Sequence, residues 1–396
     1  MQTMNLGSSL RKRIITISGT PCSGKSSINA LLVKQLGYQA YSVGSLVKRL
    51  ALERGAEPES FYRQNIEKVV EVGGKMQSLD GYLDSYQREL GEQKERFILD
   101  SRLGFYFVPQ SFRVFLSCDA DVAAGRVHQA RRHEKRYEST ERAKQTISER
   151  ADDELGNYAK KYGIPNFHMP FHYDMVINTS AAKPEEIAEN ILQQYRRYEH
   201  RTGELELVCK GLQMIEAKKF IYFSAPITGG KGLYAAAEQH RLGKTQDLPK
   251  EIFRGCIDEN LQRYAKLGKA VKSRAQPSIL PGMFGSSEAW SQRDYLDLSK
   301  EIIKTKATSL VFQDGWEYSN GCLEEYLLSM HLKKPALDQR RRPLRGNKAL
   351  KLVAAAVDGI HKASIECPKL DFLSEQLIRA IKRDKWNDTA LGDNSS

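Results

Sequence analysis

Ile14-Ile15-Thr16-Ile17-Ser18-Gly19-Thr20-Pro21-Cys22-Ser23-Gly24-Lys25-Ser26-Ser27 decides the reading of the first half of this chain. A β-branched apolar run stops at Gly19. The pattern G-x-x-x-x-G-K-S follows, and apolar residues then recur at helical spacing from Ile28 to Leu36. Strand, glycine loop and helix, in that order, form a phosphate-binding loop. Gly19 and Gly24 let the backbone curl so that several N–H groups converge on an anion. The helix start adds its positive dipole end. Lys25 is placed to reach β- and γ-phosphates, and Ser26 to offer a hydroxyl to Mg²⁺. Contacts to ATP are therefore expected along Gly19, Thr20, Pro21, Cys22, Ser23, Gly24, Lys25, Ser26 and Ser27.

Working outward, Tyr38 to Ser42 reads as a short strand and Val43 to Ala51 as a helix carrying Lys48 and Arg49. Asp80 and Asp84 stand four residues apart, which puts both on one helix face. Phe97-Ile98-Leu99-Asp100 is a buried-strand pattern ending in an acid, with Arg102 just beyond. An acid at the end of a strand beside the loop strand commonly joins the Mg²⁺ shell, which makes Asp100 a metal candidate with Ser26. Arg113 to Cys118 and Asp174 to Ser180 read as further strands. Between them lies a basic helical region with Arg126, Arg131, Arg132, Lys135, Arg136, Arg142, Lys144 and Arg150. It reads either as a solvated face or as an arginine lid closing on transferring phosphate. Pro184 to Tyr195 reads as the last helix of this half.

Five of these stretches, ITISGTPCSGKSS, YSVGSLVKRLALERG, ILDSRLGFYFVP, RAKQTISERADDELGNYAKKYGI and YDMVINTS, together resemble the cytidylate kinase-like nucleoside monophosphate kinases over about residues 12–195. The resemblance implies phosphoryl transfer from MgATP to a CMP- or dCMP-like acceptor. It places Lys48 where many members carry an arginine for the acceptor phosphate. It sets Asp80 and Asp84 near the acceptor base, makes Arg102 the central arginine, and puts Arg132, Arg136 and Arg150 in or beside the lid. A GTPase is the poorer match: Asn347-Lys348-Ala349-Leu350 lacks the aspartate of a guanine clamp.

Charged residues crowd the stretch from Tyr195 to Lys219, read here as a helix end and a linker, with a short strand near Leu205 to Cys209. A second strand then ends in a small-residue loop at Ile221-Tyr222-Phe223-Ser224-Ala225-Pro226-Ile227-Thr228-Gly229-Gly230, without a second G-K-S. Helices are expected around 250–266 and 292–305, a strand and a loop within Gly268 to Leu280, and a strand at Ser309 to Gln313. A helix is expected to begin within GWEYSNGCLEEYLL and to run to about Leu332, with further helices at Leu350 to Ile360 and Leu370 to Ile381. IYFSAPITGG and GWEYSNGCLEEYLL resemble the nucleoside 2-deoxyribosyltransferase-like superfamily, which includes nucleoside 5′-monophosphate N-glycosidases. By that resemblance Glu325, four residues after Gly321, attacks C1′ of the sugar. Ser319 meets the 5′-phosphate, Tyr222 orients the nucleophile, and Ser224 and Gly229 line the nucleotide pocket. Asp294 and Asp297 are the acids available on the preceding helix, with Asp297 taken as the substrate contact. Members of this superfamily often complete their sites across subunits, so a homo-oligomer through this half is expected.

The expected architecture is α/β with two mostly parallel sheets, a P-loop kinase fold and then a flavodoxin- or Rossmann-like one. Its domains span 1–198 and 219–385, joined by a linker at 199–218 and followed by a polar, disordered tail at 386–396. The chain has 396 residues and a net charge of +12, which suits anionic partners. Basic residues are not interleaved with aromatics, so small nucleotides are favoured over nucleic acid. Six cysteines lack C-x-x-C pairs and nearby histidine partners, and read as reduced thiols rather than a disulfide frame or zinc site. With no apolar stretch near 18 residues, no membrane partner is expected, and the expected compartment is the cytoplasm. Two rivals remain: a kinase whose second half only senses nucleotides, and a basic nucleic-acid-binding P-loop protein.

Overall fold

β1 (Ile14–Gly19) is buried along its whole length. A strand buried on both faces belongs in the middle of a parallel sheet covered by helices on either side, and that is where it lies. The computed structural model describes residues 12–53, 69–72, 75–131, 137–214, 220–272, 278–280 and 290–384. It divides into two compact units, Met1–Gly203 and Glu204–Ser396.

In the first unit β1 is followed by α1 (Lys25–Leu36), β2 (Gln39–Ser42), α2 (Val43–Leu52) and a small antiparallel pair, β3 (Val69–Val72) and β4 (Lys75–Ser78). Next come α3 (Leu79–Gln93), β5 (Phe97–Asp100), the single-turn α4 (Gly104–Phe107), β6 (Phe112–Ser117), α5 (Ala120–Arg131), α6 (Thr140–Tyr162), β7 (Met175–Asn178) and α7 (Pro184–Met214). The sheet runs β2-β5-β1-β6-β7, with every pairing parallel. Ile15, Ile17, Ile98, Val114 and Leu116 from its strands pack with Ile28 and Leu32 of α1 and with Ile187, Ile191, Leu192, Tyr195 and Tyr198 of α7.

Within the expected linker at 199–218, residues 199–214 are helical, and 215–218 lie outside the described residues. α7 runs unbroken to Met214, so the stretch Leu205 to Cys209 is helical and not a strand. The cause is a buried stripe at Tyr195, Tyr198, Thr202, Leu205 and Cys209, spaced three and four residues apart. Arg196, Arg197, Glu199, Arg201, Glu204 and Glu206, among the charges that suggested a linker, occupy the remaining faces of the same helix.

The second unit continues with β8 (Phe220–Ser224), α8 (Lys231–Gln239), α9 (Lys250–Lys272), β9 (Ser278–Ile279), α10 (Gln292–Thr305), β10 (Ala307–Phe312), α11 (Asn320–His331), β11 (Ala336–Asp338), α12 (Gly346–Lys362) and α13 (Pro368–Asp384). Its parallel sheet runs β9-β8-β10-β11. In chain order that is 2-1-3-4, a doubly wound arrangement whose strand order reverses between β8 and β10. α11 is buried nearly all round, from Cys322 to Met330. α8 was not foreseen; Leu233 and Ala237 are its buried residues.

All six cysteines are free thiols. The expectation that none has a histidine neighbour is corrected, because Cys367 Sγ lies 3.5 Å from His361 Nε2. No described helix is long and apolar enough to cross a membrane.

Candidate functional site

The loop after β1 is shaped by close approach as much as by torsion. A Cβ on Gly19 would collide with the Leu116 carbonyl oxygen, so only glycine fits against β6. Gly24 adopts φ +82° and Cys22 +58°, and together they turn the chain into α1. Inside the turn, Lys25 Nζ donates to the carbonyls of Gly19 (3.3 Å) and Thr20 (3.1 Å). Burial, then the neighbouring Arg102 cation, brings Lys25 down to about 7. Such a lysine gains its full charge on meeting phosphate.

Arg102 also donates to the Gly19 carbonyl. Its Nε lies 3.0 Å from Glu154 Oε2, and Arg150 Nε lies 3.1 Å from Glu154 Oε1. One buried carboxylate from α6 thus aims two guanidinium groups at the loop. Pro21, Cys22, Lys25, Arg102, Arg131, Thr146 and Arg150 line a cavity of about 170 Å³. Arg126 bridges the loop to the end of β7, donating to Cys22 O (3.2 Å) and Thr179 O (2.7 Å). Of the expected lid arginines, Arg150 lines this cavity, while Arg132 and Arg136 lie outside the described residues.

Asp100 ends β5 directly beside the loop strand, its Cα paired with Ile17. Burial raises its carboxyl, opposed by Lys25 and Arg102, which places all three charges together. Ser26 lies exposed in the first turn of α1. One hydroxyl and one carboxylate beside a phosphate loop fit Mg²⁺, an ion that takes most of its oxygens from phosphate and water.

On the other flank, Asp84 accepts from the Tyr162 hydroxyl at 2.9 Å and lies 3.5 Å from Lys161 Nζ, which also reaches Asp80 at 3.0 Å. Both aspartates therefore face the C-terminal end of α6. Lys48 sits exposed on α2.

In the second unit, Glu325 projects from buried α11 towards the C-terminal ends of β8 and β10, where the strand order reverses. Open parallel sheets bind ligands at such a point. Tyr222 Oη donates to Glu325 Oε1 and Ser224 Oγ to Oε2, both at 2.6 Å. Burial pushes the carboxyl up to about 7, while hydrogen bonds from Ser224, Tyr222 and Ser299 restrain it. Its neighbour Glu324 turns to another side of the helix and meets Lys300 at 2.8 Å and Lys369 at 2.9 Å. Burial would raise Glu324, but the two ammonium groups outweigh it and hold the carboxyl well below its usual range.

Ser319 caps α11, its hydroxyl accepting from Cys322 N at 3.4 Å. A Cβ on Gly229 would lie 3.7 Å from Ser319 Oγ, so the loop after β8 and the start of α11 approach each other. Asn260 fixes that loop through the carbonyls of Ile227 (3.1 Å) and Gly229 (2.7 Å). Gly321 opens the first turn of α11. The α10 residue that reaches Glu325 is Ser299; Asp297 instead meets Arg293 at 3.8 Å on its own helix, and Asp294 closes a capping box with Ser291.

Glu154, Tyr162, Ser299 and Asn260 carry no role in the sequence reading, while Arg126 belongs to its basic helical region. Glu154 carried a readable signal, since it stands four residues after Arg150. The others are united by folding alone.

Comparison with known proteins bears on the first unit. Residues 14–181 match the model of the cytidylate kinase-like family. The cytidylate kinase of Methanobrevibacter smithii is 30% identical over 179 residues, covering 45% of this chain and 96% of that protein. The cytidylate kinase of Natronomonas pharaonis is 32% identical over 174 residues, covering 43% of this chain and 83% of that protein. An S-adenosylmethionine-dependent nucleotide dehydratase of Lacinutrix mariniflava is 28% identical over 186 residues, covering 47% of this chain but only 36% of that protein. With a loop lysine, two arginines on one buried glutamate and near-complete coverage of these small kinases, the chain belongs to the cytidylate kinase-like family through residues 14–181.

Proposed function

We propose that the first unit transfers the γ-phosphoryl group of MgATP to a pyrimidine nucleoside monophosphate, CMP or dCMP in type. The carrying observation is the convergence of Lys25, Arg102 and Arg150 on one cavity at the phosphate loop. Phosphoryl transfer depends on positioned positive charge more than on covalent chemistry. Lys25 and Arg102 hold phosphate, Arg150 closes from α6, and Ser26 with Asp100 would hold Mg²⁺, which supplies charge neutralisation between the phosphates. Asp80 and Asp84 offer acceptors to the base of the second nucleotide.

For the second unit we propose cleavage of the N-glycosidic bond of a nucleoside 5′-monophosphate. Its supports are the sequence resemblance and a buried carboxylate, gripped by Tyr222 and Ser224, at the strand-order reversal. Ionised Glu325 attacks C1′, the C1′–N bond breaks, and its electron pair leaves with the base, which takes a proton from solvent. Water then hydrolyses the sugar–Glu325 ester. The dehydratase relative carries its matching stretch within a longer chain, which accords with joining such a stretch to further nucleotide chemistry. The raised pKa of Glu325, which leaves it partly protonated near neutral pH, favours a second reading, in which this unit only binds nucleotide and regulates the first.

The test is a product screen. Each ribo- and deoxyribonucleoside monophosphate is incubated with and without MgATP and chromatographed for diphosphate and free base. Diphosphate from a pyrimidine monophosphate only with MgATP, and free base without it, is the expected result. Diphosphate alone reduces the second unit to a binding module.

A further inference from the structure

Neither proposed site uses a cluster at the junction of α12 and α13. His361 stands in the last turn of α12, and Cys367 directly precedes Pro368, the first residue of α13. Asp371 follows one turn into α13, its backbone N–H bonded to the Cys367 carbonyl. The three donor atoms form a tight triangle: Nε2 to carboxylate oxygen 3.1 Å, Nε2 to Sγ 3.5 Å, and Sγ to carboxylate oxygen 3.5 Å. Among the described residues this is the one group of three histidine, cysteine or acidic side chains whose donor atoms all lie within 4.8 Å of one another.

We propose that His361, Cys367 and Asp371 bind a divalent metal of the zinc class, with the fourth position open to water. The triangle has the dimensions that such an ion imposes. Metal–nitrogen and metal–oxygen bonds near ~2.0–2.1 Å and a metal–sulfur bond near ~2.3 Å, at tetrahedral angles, require N···O edges of about 3.3–3.4 Å and edges to sulfur of about 3.5–3.6 Å. The edges to sulfur match, and the N···O edge is shorter by about 0.2–0.3 Å, a difference that side-chain torsions can absorb.

The donor set also chooses the metal class. A thiolate with an imidazole selects zinc and its soft neighbours, whereas Mg²⁺ and Ca²⁺ take oxygen. Cys367 is buried, while His361 and Asp371 reach the surface, so the open corner faces solvent. Burial and then the adjacent Asp371 push the free thiol up to about 12, and in that state it donates its proton to Asp371. A bound dication displaces this proton and takes the sulfur as thiolate. The spacing H-x₅-C-x₃-D is compact enough for one helix–loop–helix segment to supply all three ligands, so the ion would pin the end of α12 to the start of α13.

The test uses the full-length chain, stripped with chelator and titrated with Co²⁺, then with Zn²⁺. The expected result is saturation at about one metal per chain, with a near-ultraviolet thiolate-to-cobalt charge-transfer band and intense visible bands of tetrahedral cobalt. Zn²⁺ should bleach both. Cys367→Ser should remove the charge-transfer band, and His361→Ala should weaken cobalt by more than about a hundredfold, beyond what losing a supporting partner costs. Both variants should keep the wild-type circular dichroism spectrum and any base-releasing activity of the wild-type chain, which checks the folding of the second unit. Cobalt uptake without a thiolate band, or uptake that Cys367→Ser and His361→Ala leave unchanged, overturns the proposal. So does the absence of stoichiometric uptake by the wild-type chain.

Discussion

Glu324 and Glu325 are adjacent, identical in type and both buried, yet they have opposite chemistry. Successive residues on a helix point about 100° apart. That rotation delivers Glu324 to two ammonium groups and Glu325 to three hydroxyls. Hydroxyls share a charge without neutralising it, so burial raises Glu325 from its ordinary 4.5 to about 7. A carboxyl raised in the folded state adds stability that is full below about pH 4.5 and is lost as pH rises through about 7. Glu325→Gln should therefore be more stable than wild type at pH 8, by about 1–3 kcal/mol, with the advantage vanishing near pH 4 in thermal melts. Base release by the wild-type chain should climb as pH passes about 7 and then level off, because attack needs the ionised form. Gly19 makes the second residue-scale case. In Gly19→Ala the new methyl must displace the Leu116 carbonyl, so the loop shifts and stability falls by about 1–3 kcal/mol in urea titrations. Nucleotide binding should fall with it.

Elements turn such residues into sites. α6 carries Arg150 and Glu154 one turn apart and Tyr162 two turns later, so one helix touches both the phosphate loop and Asp84. α11 gains its position from apolar burial, and Lys300 and Lys369 compensate the charge that this burial strands on Glu324. The depressed Glu324 carboxyl stabilises the fold above about pH 4.5, and this is lost as pH falls through its lower folded value. Lys300→Met should cost about 1–3 kcal/mol at pH 7, and less at pH 4, where Glu324 can protonate instead. Much of this scale was legible in the sequence. β1, its glycine loop and α1 announce themselves through local spacing, as does the strand ending at Asp100. The second half of α7 is hidden from such reading because a buried stripe shares the helix with a dense run of charge. Ser299 and Asn260 could not be read at all, and the bridge from Arg126 to Cys22 and Thr179 could not either, since these contacts join residues distant in sequence. His361 and Cys367 are close in sequence, but their spacing matches no common metal motif, and their proximity comes from the turn between α12 and α13.

The whole molecule carries two parallel sheets, each with a site where its strands end. The first is built around cations and suits the transfer of a charged group. The second is built around one buried acid among hydroxyls, the arrangement on which its proposed chemistry at a sugar carbon rests. Both would accept nucleoside monophosphates, one raising them towards the triphosphate and the other destroying them, so the chain would sort nucleotides. The net charge of +12 fits anionic substrates in both halves. The central claim is that these are separable activities of one chain. It is tested most directly by product chromatography of wild type, Lys25→Ala and Glu325→Ala on the same monophosphate series with MgATP. The account predicts that Lys25→Ala loses diphosphate and still releases base, while Glu325→Ala loses base release and still forms diphosphate. Loss of both products in either well-folded variant, or free base formed undiminished by Glu325→Ala, contradicts it.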